Sequence, residues 1–241
     1  MTKFSLMIPK LLAFFGTFVC FANMAVAVEI QTNAVVVSQA PVWLTRLEVQ
    51  RVVDRVERFL EWDIRRISVR WYSDQGQFEK VHGFGPAVLA IAKRSDHSVH
   101  VGPKVQKENF AKVFGHELAH VVLFQKYKDA VPKWLEEGLA NYVSKHGMID
   151  YKLLGAQPLS DVKALEHPFG SGQAPKVEPK VHYMASTALM EMIASRCRIH
   201  DLLQLSVGQK LERYLSTFCG IADLNLEYKK WVERKNLPKK L

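Results

Sequence analysis

The sequence predicts an α+β fold in which a small N-terminal α/β sheet unit, residues 28–104, packs on a mainly helical unit, residues 105–241, within a single domain. Three observations carry this expectation. Apolar residues recur at helical spacing in Leu44 to Leu60 and again around residues 110–124, Ile67 to Tyr72 alternates with a period of two, and helical patterning then runs through the C-terminal half.

In chain order, the first 27 residues read as a secretory signal peptide. Lys3 and Lys10 precede the apolar run Leu11 to Phe21, and Ala25-Val26-Ala27 is a small-x-small cleavage site, so cleavage is expected after Ala27. The competing reading is an uncleaved membrane anchor over Leu11 to Val28, which Asn23 interrupts. Cys20 lacks the small residues that a lipoprotein signal places before its cysteine. The expected location is therefore the periplasm or the exterior. The remaining chain begins with a helix, Leu44 to Leu60, whose Leu47, Val52, Val53, Val56 and Leu60 share a face, followed by the strand Ile67 to Tyr72. Gly83-Phe84-Gly85-Pro86 marks a turn. Val88 to Ala92 and Ser98 to Val101, joined by a loop at Lys93 to Asp96, read as two short strands.

A long helix follows, from Asn109 as expected N-cap to Tyr127, with Phe110, Val113, Phe114, Val121 and Phe124 at helical spacing. Inside it stands His116-Glu117-Leu118-Ala119-His120, the H-E-x-x-H pattern. Side chains four apart on a helix share a face, so His116 and His120 can point at one metal ion while Glu117 sits where it can hold a water. Hydrolysis at zinc needs three protein ligands and an open fourth position. Pro132 suits the first turn of a second helix, and a short loop after Tyr127 would fold that helix back, bringing the acidic pair Glu136-Glu137 towards the histidines. The extended metzincin pattern would need Gly at 123 and His at 126, where this chain has Leu123 and Lys126, so that class is excluded.

Gly115-His116-Glu117-Leu118-Ala119-His120 followed by Trp134-Leu135-Glu136-Glu137-Gly138-Leu139-Ala140 resembles the gluzincin metallopeptidases, the peptidase MA-like superfamily that includes the aminopeptidase N and thermolysin branches. The resemblance spans about residues 80 to 232. It implies a zincin-like fold, one Zn2+ per chain, Glu137 as third ligand beside His116 and His120, and Glu117 as catalytic base, with Glu136 a neighbouring acid. Tyr183 opens a stretch to Ile193 that resembles a later family helix, and Tyr183 or His182 would donate to the oxyanion; the other reading of Tyr183 is a half-buried tyrosine capping that helix. Leu202 to Leu205 and Cys219 to Trp231 resemble the closing helices. The strands before the metal helix occupy the place of the edge strand that pairs with an extended peptide, the alternative being a hairpin without a ligand. The chain departs from the family in three ways: Asn141 stands where the thermolysin branch has an acid that orients the first histidine, the step from His120 to Glu137 is short, and the G-A-M-E-N segment of aminopeptidases is missing.

The charge is +9, and loss of Lys3 and Lys10 with the leader leaves 31 cations against 24 acids, or +7. A basic exported protein can lie against anionic membrane or cell-wall polymer, although a solvated surface with a basic tail, Lys235 to Lys240, accounts for the same charge. Nucleic acid is not an expected partner, and nothing specifies an oligomeric state. Cys197 and Cys219 are expected to form a disulfide in an oxidising compartment, the alternative being two buried thiols. Gly170 to Pro175 reads as a loop bordering the cleft. The other histidines, His82, His97, His100, His146, His167, His182 and His200, read mostly as surface or structural. The expected function is an exported zinc metallopeptidase acting on a peptide or protein substrate. A catalytically silent zinc-binding adaptor and a zinc amidase acting on cell-wall peptides are its competitors.

Overall fold

The computed structural model describes residues 28–60, 64–145, 149–165, 178–206 and 211–237. The expected signal peptide, the loop Gly170 to Pro175, His146 and His167 lie outside the described residues. Among those described, five strands form one sheet: β1 (Val28–Gln31), β2 (Val35–Ala40), β3 (Ile67–Trp71), β4 (Ala90–Lys93) and β5 (Ser98–Val101). The order is β1-β2-β3-β5-β4, with β2, β3 and β5 parallel and both edge strands antiparallel to their neighbours.

The register places Val37 beside Val69 and Val69 beside Val99, so one sheet face is an apolar layer in which Val35, Ile67 and Val101 are fully buried. That face meets α3 (Lys107–Tyr127), with Trp71 against Phe110, and α1 (Arg46–Phe59) packs in turn on α3. The start of α1 is fixed by a capping box, with Thr45 Oγ1 accepting from Glu48 N and the Glu48 carboxylate accepting from Thr45 N. Its buried stripe is Val49, Val52, Val53 and Val56; Leu47, expected in the stripe, is exposed at 59 % because it falls off that face. The short α2 (Gln75–His82) buries Phe78 beside Tyr72 and Gly102, the residues that follow β3 and β5.

The helical part carries α4 (Lys133–Ser144), α5 (Tyr151–Ala156), α6 (Pro179–Ala194), α7 (Ile199–Ser206), α8 (Leu211–Cys219) and α9 (Leu224–Asn236). The molecule is thus α+β as expected, and α3, α4 and α6 form its central stack. The base of α3 is locked to the sheet by an aromatic cluster: Phe110 stacks on Phe114 at 5.1 Å, and Trp43 meets Trp71 and Phe110 edge-on at 5.5 and 5.9 Å. Fully buried Phe114 alone contributes about 2–3 kcal/mol of apolar transfer energy. At the next contact, Gly138 lets α4 approach α6 closely, since a Cβ there would lie 2.6 Å from Met190 Cγ and 3.0 Å from Ser186 O.

Two helix starts differ from expectation. The N-cap of α3 is Gln106 rather than Asn109, because Asn109 Oδ1 reaches back from the third helical position to accept from Gln106 N at 2.8 Å. α6 begins at Pro179, preorganised for the first helical position, so Tyr183 sits in the second turn instead of opening the helix. Cys197 and Cys219 are joined by a disulfide, with Cα atoms 5.2 Å apart, which ties the end of α6 to the end of α8. The bond is compatible with an oxidising compartment. Among the described residues, no helix is long and apolar enough to cross a membrane.

Candidate metal centre

His116 and His120 lie one turn apart on the inner face of α3, and the short connection Lys128 to Pro132 turns the chain so that α4 packs on that face. The three expected ligands meet. His116 Nε2 and His120 Nε2 are 3.1 Å apart, Glu137 Oε2 is 3.7 Å from the first, and Glu137 Oε1 is 3.6 Å from the second. One ligand atom from each of the three lies within 4.8 Å of the others, close enough for the group to hold one metal ion. All three residues are buried.

The donor set also calls for a cation. Glu137 is 2 % exposed, and its Oε2 is buried without a hydrogen-bond partner. A carboxylate oxygen so placed is costly unless a positive charge compensates it. Burial alone would depress the His120 imidazole, but the charge of Glu137, then the hydrogen bond and charge of Glu136, push it up to about 9. In the protein without metal, a proton supplies the charge that a metal ion can supply instead. A buried His-His-Glu group able to hold a metal ion is therefore present.

Adjacent residues on α4 serve the same histidine from two sides. Glu137 faces His120 Nε2, while Glu136 Oε1 lies 2.8 Å from His120 Nδ1. Glu136 accepts as well from Arg94 Nη2, at 2.5 and 2.7 Å, and from Lys133 Nζ at 3.0 Å. Burial would raise its pKa, but the His120 hydrogen bond and charge, with Arg94 and Lys133, bring it down to about 2. Glu136 is then a carboxylate that only accepts, so His120 Nδ1 carries the proton of this bond. The Asn141 amide donates to Ser186 Oγ at 2.8 Å and its Oδ1 is buried without a hydrogen-bond partner, so Asn141 is not bonded to the first histidine.

The centre opens into a cleft of about 420 Å³. Glu117 lines it, and burial of its carboxyl, against the charge of His120, raises the pKa to about 7 even though the Ala92 N–H donates to it. That N–H belongs to β4, the edge of the sheet, and Ala90, Ile91 and Ala92 form one wall of the cleft. Tyr183 lines the cleft as well, its ring 6.0 Å from that of His116 in an edge-on contact. Burial, then the charges of Glu137 and Glu117, keep its hydroxyl protonated well above the usual phenol range. His182 does not line the cleft; it is buried on another side of α6, and desolvation lowers its pKa to about 4.

Of the other histidines, His100 is buried in a hydrogen-bonded chain, with Tyr72 Oη 2.8 Å from its Nδ1 and Ser98 Oγ 2.9 Å from its Nε2, and Ser98 donates onward to Asp96. That is a structural role, as expected. Arg94 was not anticipated. It lies 42 positions before Glu136 in a 3-10 turn between β4 and β5, and no local pattern could mark it.

No protein-family model matches the chain, and no curated protein sequence is similar to it.

Proposed function

We propose that the protein is a zinc-dependent hydrolase of peptide bonds, of the gluzincin type, acting outside the cytoplasm. The observation that carries this reading is that His116, His120 and Glu137 bring one ligand atom each within 4.8 Å of one another, with Glu117 in the same cleft. Two imidazoles and a carboxylate suit zinc. Zinc held there would supply Lewis acidity towards a scissile carbonyl and lower the pKa of a water.

The protein's own groups divide the remaining work. Glu117, which lines the same cleft, accepts the proton of the attacking water and returns it to the leaving amine. The Tyr183 hydroxyl, held as a donor, hydrogen-bonds to the developing oxyanion. An extended substrate adds to the free edge of β4, whose backbone groups orient it across Glu117. The Cys197–Cys219 disulfide and the Ala25-Val26-Ala27 leader pattern support export.

The test is a mixed peptide library offered to the zinc-loaded protein and to Glu117→Gln. Cleavage by the parent with equal metal content and no cleavage in the variant supports the proposal. Equal cleavage by both removes Glu117 from its role. Cleavage by neither, with zinc in both, favours the silent adaptor, or the cell-wall amidase if wall fragments are then hydrolysed.

A further inference from the structure

The polar cluster on the far side of His120 has no part in the catalytic scheme above, yet it is the most heavily hydrogen-bonded group near the cleft. The Glu136 side chain is 7 % exposed and accepts from three residues on three segments: His120 on α3, Lys133 on α4 and Arg94 in the turn after β4. Arg94 is itself held twice more, with Nη1 3.5 Å from Asp129 Oδ1 and its guanidinium 5.6 Å from the centre of the Phe124 ring. A carboxylate buried with all these partners is rigid, and rigidity at Nδ1 fixes both the tautomer and the ring plane that Nε2 presents.

We propose that Glu136 is a positioning residue for the metal ligand His120, and that Arg94 clamps it to the cleft's edge strand. The inference rests on the metal-site reading. The carboxylate stands at the second histidine, one residue before the expected ligand Glu137, while the Asn141 amide is engaged with Ser186. Adjacent helical residues point about 100° apart. One turn of α4 thereby reaches both nitrogens of a single imidazole. Arg94 extends the lock to β4, so the position of the edge strand and the aim of the ligand are set by the same ion pair.

The experiment is competition for zinc between the full-length folded protein and a chromophoric chelator at one pH, with the visible spectrum of the cobalt-substituted protein as second readout. Glu136→Ala is expected to bind zinc about 10- to 100-fold more weakly and to shift the cobalt bands, as loss of an orienting partner does. Arg94→Gln is expected to lose less than about tenfold. If Glu136→Ala does not fold by circular dichroism, Glu136→Gln and Arg94→Gln carry the test. Parent-like affinity and cobalt spectrum in folded variants would overturn the positioning role and leave the metal site standing. Failure of the parent to bind zinc would overturn both.

Discussion

Two regions of the molecule place a glutamate among aromatic and charged neighbours, and they do so differently. At the junction of α5, α6 and α9, Glu191 accepts from the Tyr151 hydroxyl at 2.5 Å, Trp231 Nε1 donates to the same hydroxyl at 3.2 Å, and Lys235 lies 4.6 Å from the Trp231 ring centre. Donors and acceptors match among Glu191, Tyr151 and Trp231, and the orphan beside them is the neutral Tyr228 hydroxyl, buried without a hydrogen-bond partner. At the cleft, Glu137 is more deeply buried and keeps one oxygen unmatched. A matched polar cluster fastens helices together; an unmatched one, facing two converging imidazoles, is arranged for a ligand.

Substitutions can break this contrast, beginning with the largest effect. Glu117→Gln should lower peptide turnover by about 10²- to 10⁴-fold while zinc content, read by elemental analysis, stays at the parent level. Tyr183→Phe should lower kcat by about 10²-fold with little change in KM, as removal of one oxyanion donor does. On the structural side, Cys197→Ser with Cys219→Ser should cost about 3 kcal/mol in denaturant unfolding, given the sequence separation of 22 residues, and leave zinc affinity alone.

His182 sharpens the contrast through pH. Its folded pKa of about 4 lies below the ordinary 6.5, so the unfolded chain takes up the proton first as pH falls. The stability is complete above about pH 6.5 and is lost progressively towards pH 4, by at most about 3 kcal/mol. A His182→Gln variant should lose less stability than the parent over that window, and an identical acid slope would remove His182 as the cause. Smallest is Tyr151→Phe, expected to cost about 2 kcal/mol in thermal unfolding through the two lost hydrogen bonds of its hydroxyl, to Glu191 and from Trp231, without altering metal binding.

What the sequence made legible follows the same division. The helix α3 and its two histidines could be read because a period of 3.6 and a spacing of four are local facts, and the pair Glu136-Glu137 because a short return loop brings it back to them; the choice of Glu137 within the pair came from the resemblance of Trp134 to Ala140. β1 and β2 escaped notice, since Val35-Val36-Val37 is a brief run whose strand character comes from pairing with β1 and β3. α2 buries only Phe78 and so has no apolar stripe to read. Asn109 was a true signal displaced by three positions, because an acceptor at the third helical residue caps as well as one at the N-cap. Arg94 and the bond from His120 to Glu136 depend on tertiary placement of the turn after β4, which no window of sequence contains.

The most direct test of the central claim is calorimetric titration of zinc into the metal-free protein and into Glu137→Ala. One site per chain in the parent, with affinity reduced at least tenfold in the folded variant, is the predicted result. No zinc uptake by the parent, or equal uptake by both, would contradict the assignment of His116, His120 and Glu137 as a single metal centre.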